Sequence, residues 1–376
     1  MNHAPHTAAP RARVGLLLPG LGHLRTGRHI EGIGLLGGLL ILLLSLAGAS
    51  RLDTLLDPSH RTWGWHGPLS LLAWLAVAGV LWRSAWGQVQ GWRPPPGSTR
   101  AALRRSATGQ LGFVGVGWLT AITLLAPMLA PFDPDATFVG ARLAAPSALH
   151  WLGTDEYGRD QASRVLAGAR VSMSIGFLAV GIAASLGTTL GALAGYFGGW
   201  LDRAVMWVVD LLLAVPRLVL LLAIVGLFRP PGATAIFLIV TVLGFTGWMG
   251  VSRIVRSQVL SLKAQDFVAA ARALGMSHSR ILFRHIIPNA TAPVIVYGSL
   301  AIGTTMLAEA SLSFLGLGVQ PPTSTWGTLV ADGRHRLQSA PWVALSPGLA
   351  IVFAVMSFNL LGDGLRDALD PRQRER

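Results

Sequence analysis

Three groups of residues in this 376-residue chain stand where their types and spacing can do chemistry. The first lies in apolar surroundings: Asp210 and Arg217, in Asp210-Leu-Leu-Leu-Ala-Val-Pro-Arg217, and Glu309, in Met306-Leu-Ala-Glu309-Ala310. A charge at the centre of a membrane helix costs about 3 kcal/mol on insertion scales, so such side chains face protein, water or a passing solute. Read as one continuous helix, the spacing puts Asp210 and Arg217 on nearly one face, lining a translocation path or a helix interface. The alternative for Arg217 is snorkelling to the lipid headgroups. The second group is Asp155, Arg159, Asp160 and Arg164, mixed charges at helical spacing in a polar loop. They are candidates either for contact with a soluble partner protein or for a salt-bridge lattice within the loop. The third is Asp266-Phe-Val-Ala-Ala-Ala-Arg-Ala-Leu-Gly275, a strong helix former with a glycine stop. Phe267, Ala270, Ala271 and Leu274 recur at i, i+3, i+4 and i+7 and make one apolar face. A second short helix is predicted over 277–287, ending at Pro288. Such a hairpin docks onto a partner or lies on a membrane surface.

Other chemistries are missing from the sequence. A nucleotide-binding P-loop ends in Gly-Lys-Ser/Thr, and the one lysine, Lys263, sits between Leu262 and Ala264. The glutamates are Glu31, Glu156, Glu309 and Glu375, and none falls in a His-Glu-x-x-His zinc motif; no Gly-x-Ser-x-Gly elbow occurs. With no cysteine, thiolate catalysis, disulfides and Cys-based zinc sites are excluded. His3 and His6 near the terminus suit a solvated tail better than a metal site. No cofactor is expected.

The elements that must position these groups follow from composition. Hydrophobic residues make up 52% of the chain and charged ones 12%, against about 25% charged in soluble domains. Apolar runs of about 20 residues recur, each long enough to cross a bilayer, and lipid admits only helices there short of a barrel. The sequence predicts an all-α membrane protein with eight spans, at 30–49, 67–85, 111–130, 171–193, 204–228, 233–255, 292–314 and 342–361. A Pro- and Arg-rich stretch, 92–105, separates the first two from the other six, so the expected organisation is a membrane module over 1–95, a linker over 96–110 and a six-helix domain over 111–376. The apolar stretch 16–18 is too short for the core of a cleavable signal peptide. The net charge of +13 is distributed unevenly. With the N-terminus in the cytoplasm, 19 Lys and Arg fall on the inner side and 9 on the outer, which places both termini inside and accounts for the charge without nucleic acid.

The stretch 256–289 resembles the cytoplasmic coupling motif of importer permeases of the ATP-binding-cassette superfamily: Glu-Ala-Ala, three residues, Gly, nine residues, then a hydrophobic pair before Pro. Ala270, Ala271, Gly275, Ile287 and Pro288 stand in the matching places. Ala269 stands where the pattern has glutamate, so the carboxylate for an ion pair is missing there while the helix–Gly–helix pattern is kept. Residues from about 105 to 372 resemble the dipeptide, oligopeptide and nickel branch, in its "C" subunits. The matching runs, in order, include Leu152-Gly-Thr-Asp-Glu-Tyr-Gly-Arg-Asp160, Gly195-Tyr-Phe-Gly-Gly199, His285-Ile-Ile-Pro-Asn289, Glu309-Ala-Ser-Leu-Ser-Phe-Leu-Gly-Leu-Gly318 and Trp326-Gly327. The resemblance implies a bacterial inner-membrane permease for di- or oligopeptides, with nickel or another small solute as the alternative cargo. It implies four partners: a second homologous permease, two cytoplasmic ATPases and an external binding protein. An ion-coupled transporter or channel would leave the hairpin unexplained, and an intramembrane enzyme would need motifs the chain lacks. Residues 1–95 fall outside the resemblance and read as an anchor or packing element.

Overall fold

The computed structural model describes residues 29–48, 75–80, 83, 106–228 and 233–369. Among them the only strand-like pairing is an isolated bridge between Thr154 and Asp160. The helices are α1 (His29–Gly48), α2 (Ala107–Leu129), α3 (Gln161–Phe197), α4 (Gly199–Leu213), α5 (Arg217–Phe228), α6 (Ala233–Lys263), α7 (Asp266–Ala273), α8 (His278–Ile281), α9 (Ile287–Phe314), α10 (Trp326–Gly333) and α11 (Trp342–Leu369). Five stretches are long and apolar enough to cross a membrane, namely α2, α3, α6, the run from α8 through α9, and α11; the bent pair α4–α5 meets the same test only when its two helices are taken together. Large apolar side chains point outward from them, with Phe237 71%, Leu349 66% and Met356 57% exposed, which lipid satisfies and water would not.

α1 is apolar and lies on α2: the Trp118 indole donates to the Gly34 carbonyl at 2.9 Å, and Leu42 packs with Leu125 and Met128. The second span expected, 67–85, lies outside the described residues except at 75–80 and 83, which are helical, and Val77 and Ala78 pack on the same cluster. The stretch 92–105, His3 and His6 also lie outside the described residues.

α3 and α6 form the centre. Their axes come so close that a side chain at Gly191 would overlap the backbone of Ser252, so only glycine fits. α3 starts ten residues before the span expected at 171. The Asp160 carboxylate caps it, accepting from the Ser163 amide at 2.8 Å, so polar turns assigned to the loop are helical.

Two proline positions correct the expected spans. The run 204–228 is not one helix: α4 ends at Leu213, α5 begins at Arg217, and their axes bend by 84°. Pro216 has no amide hydrogen for the helix ladder and its ring excludes the carbonyl four residues back, while Val215 before it is turned away from helical backbone. Asp210 and Arg217 therefore do not share a helix face. Conversely, Pro288 does not end a helix. Five residues of π-helix, Leu282–Ile286, carry α8 into α9, with the Ile287 amide bonding the Leu282 carbonyl, and this wider turn accommodates Pro288, which has no amide to give.

Candidate coupling hairpin and membrane pathway

The hairpin of α7, α8 and the π turn closes one end of the bundle. α7 ends in a Schellman turn: the Met276 amide bonds the Ala271 carbonyl at 3.1 Å and the Gly275 amide the Arg272 carbonyl at 2.9 Å. Gly275 has φ +74°, and its missing side chain would meet nothing, so the need for glycine is purely conformational. Gly275→Ala is expected to destabilise the hairpin by about 1–2 kcal/mol, read as faster hydrogen exchange confined to residues 266–281.

The apolar positions of the hairpin divide into two faces. Val268 and Ala271 are buried with Ile281, Leu282 and Ile286 against Tyr196 of α3 and Val255 and Val259 of α6. Leu274 (78% exposed) and Phe283 (62%) point away from the chain, with Ala269, Ala270 and Phe267 exposed beside them. The single face read from the spacing is thus split, with Ala271 inside and Phe267, Ala270 and Leu274 outside. One polar contact reaches the hairpin, and further bonds brace the helices behind it. Tyr196 Oη and His278 Nδ1 lie 2.9 Å apart, the Lys263 ammonium donates to the Tyr196 carbonyl, and the Arg256 guanidinium holds Asp202 through two bonds. Tyr196, His278 and Phe283 were not legible as a set, because only folding brings the end of α3 to the hairpin. Asp266 is exposed in the first turn of α7, where its charge suits the helix N-terminus; Ile287 and Pro288 lie at the start of α9.

The charged groups of the membrane region separate. Asp210 forms an exposed ion pair with Arg253 of α6. Arg217 lines a cavity between α3, α5, α6 and α9, near Tyr297, Thr304 and Thr305. Glu309 is buried, and one carboxylate oxygen accepts from Ser313 and from Thr325, each at 2.8 Å. Thr325 also caps α10, so Glu309 ties α9 to that short helix.

At the opposite end, Asp155, Arg159, Asp160 and Arg164 are all turned inward, at most 9% exposed. Asp155 Oδ2 takes both the Arg159 and Arg164 guanidinium groups at 2.7 Å, and its Oδ1 accepts from the amides of Tyr157 and Arg159. Asp160 pairs with His150 at 2.9 Å. This is the lattice alternative, and it keeps these four side chains from meeting a partner directly. A cleft of about 380 Å³ borders the network, walled by Glu156, Tyr157, Gln320, Asp332 and Arg334. Burial pushes the Asp332 carboxyl above the usual carboxylate range, against the pull of Arg164 and Arg159. Among the described residues no cluster of three or more His, Asp or Glu is arranged to hold a metal ion.

Residues 187–375, from mid-α3 to the C-terminal end, match the family described as "binding-protein-dependent transport system inner membrane component". The chain is 43% identical over 279 residues to a dipeptide transport system permease protein of Alkalihalophilus pseudofirmus, covering 73% of this chain and 90% of that protein. It is 43% identical over 275 residues to an oligopeptide transport system permease protein of Mycobacterium tuberculosis, covering 73% and 93%. It is 43% identical over 255 residues to a glutathione transport system permease protein of Pectobacterium atrosepticum, covering 68% and 83%. Five membrane-length helices, a helical hairpin bound to two of them and these matches lead to one assignment: the chain belongs to the inner-membrane permease components of binding-protein-dependent transport systems.

Proposed function

We propose that this permease carries small peptides across the bacterial inner membrane and that the hairpin of residues 265–288 is the socket for separate ATPase subunits. The observation that carries the reading is the division of the hairpin. One face is welded to α3 and α6, and the other leaves Leu274 and Phe283 uncovered. A helix that is apolar on both faces and fixed to the spans suits transmission of force from a partner to the bundle. As a permease component the chain is not itself an enzyme, and ATP is hydrolysed on another subunit. ATPase closure favours one of two bundle states through its different affinity for them, and a rigid hairpin passes that preference to α3, α6 and α9. Arg217 and Glu309 belong to the pathway and its outer closure in this reading, and Asp210 to its rim. Peptide cargo is supported by the dipeptide, oligopeptide and glutathione permeases among the relatives.

The charge asymmetry puts the hairpin and both termini in the cytoplasm. The partners are a second permease, two ATPases and an external binding protein. That last partner meets the loop end at exposed residues such as Tyr157 rather than at the buried network. Residues 1–95 serve as a membrane anchor on α2, 96–110 as a linker, and 111–376 as the permease domain. The assembled importer in proteoliposomes is expected to accumulate labelled di- or tripeptides only with ATP and the binding protein present. ATP-independent uptake by this chain alone would contradict the proposal.

A further inference from the structure

We propose that Arg217 is the counter-ion for a carboxylate of the passing cargo; this rests on the peptide-importer reading above. The break at Pro216 places Arg217 at the head of α5, at the cavity walled by α3, α6 and α9. Its depth is given by its neighbours: Gly247 lies near the middle of α6, and Arg217 Nη2 is 4.0 Å from where a side chain at Gly247 would begin. The guanidinium is thus level with the middle of α6, within the apolar length of the bundle, where an uncompensated charge is costly.

Its compensation is absent from the described residues of this chain. No carboxylate there forms an ion pair with Arg217, and the acids of the neighbouring helices are engaged elsewhere. Asp202 is bound to Arg256, Asp210 to Arg253, and Glu309 to Ser313 and Thr325. The other polar groups of the cavity are neutral hydroxyls: Tyr297, whose hydroxyl has no hydrogen-bond partner among the described residues, and Thr304 and Thr305. Ala183 and Gly247 keep the opposite wall short. One guanidinium fork beside a free phenol and two threonines suits a single carboxylate. Two parallel N–H···O bonds would engage it, and the phenol would donate a third. A small peptide has such a group at its C-terminus. The cavity holds about 20 Å³, so in this account it takes up only the carboxylate shared by all peptides and leaves the rest of the cargo outside. The same arrangement would retard cargo lacking a carboxylate.

The test uses the complete importer in proteoliposomes with trialanine and trialanine amide as probes. The binding protein's own affinity for each is measured separately and divided out. Wild type is expected to take up the acid about ten-fold faster than the amide, the scale of one charge-assisted hydrogen bond. In R217Q the ratio falls to within about two-fold, in R217K it stays intermediate, and in Tyr297→Phe it falls by about three-fold with the same assembly. An unchanged ratio in R217Q and Tyr297→Phe would overturn the carboxylate site while leaving the importer intact. So would a loss of assembly in both R217Q and R217K that is restored by removing an acid of the second permease, because Arg217 would then be an intersubunit ion pair. Failure of wild type to carry either probe with ATP would instead remove the peptide-importer reading, and this proposal with it.

Discussion

Leu274→Asp is expected to reduce ATP-driven uptake by about 100-fold or more while leaving the chain folded in the membrane. Burying an unpaired charge at the centre of a docked apolar contact costs about 3 kcal/mol or more, which corresponds to that factor. The fold is spared because Leu274 is 78% exposed and touches little of its own chain. Phe283→Asp should act in the same direction, since its side chain is 62% exposed beside the same surface. Leu274→Ala should cost far less, because it removes contact area without introducing a charge. Co-purification of the ATPase and the transport rate should fall together in the aspartate variants, whereas the melting of the permease alone should not move. Val268→Asp provides the contrast: Val268 is fully buried against α3 and α6, so that variant should fail to fold.

Asp155→Ala is expected to be among the most destabilising single changes at the opposite end of the bundle. It would strip the shared carboxylate from two buried guanidinium groups, Arg159 and Arg164, and from the amides of Tyr157 and Arg159. Removing one partner of a buried pair costs about 3–5 kcal/mol, because the remaining charge is left uncompensated. Asp332 is a poor substitute: it lies 3.7 Å from Arg164, and its side chain is half exposed to solvent. The loss should appear as a lower melting temperature and less recoverable protein. Asp155→Ala combined with Arg164→Met should recover part of it, since one orphaned charge is removed along with its partner. A single variant as stable as wild type would show that the network contributes little.

How much of this was legible in the sequence depended on whether the signal was local. The long apolar runs marked the five membrane-length helices of the core, because length and composition alone decide whether a helix can span lipid. The glycine stop at Gly275 was legible because a left-handed turn favours one residue type. The break at Pro216 and the passage through Pro288 went the opposite ways from expectation. A proline only forbids one amide bond, and whether the helix bends or absorbs the gap in a π turn is decided by neighbouring helices. The split of the hairpin's apolar face was also hidden. Phe267, Ala270, Ala271 and Leu274 repeat at helical spacing, but only the positions of Tyr196, Val255 and Val259 determine which of them is covered. Likewise the charges of Asp155, Arg159 and Arg164 look solvated in one dimension and are buried in three.

The account stands on the hairpin being an ATPase socket on the cytoplasmic side, and the absence of native cysteine makes that directly measurable. A single Leu274→Cys should cross-link to a cysteine placed on the ATPase surface in the assembled importer, and in the permease freed of its ATPase should be labelled by an impermeant thiol reagent only from the cytoplasmic side. Labelling from the opposite side, or a thiol shielded by lipid with no cross-link to any ATPase position, would contradict the account.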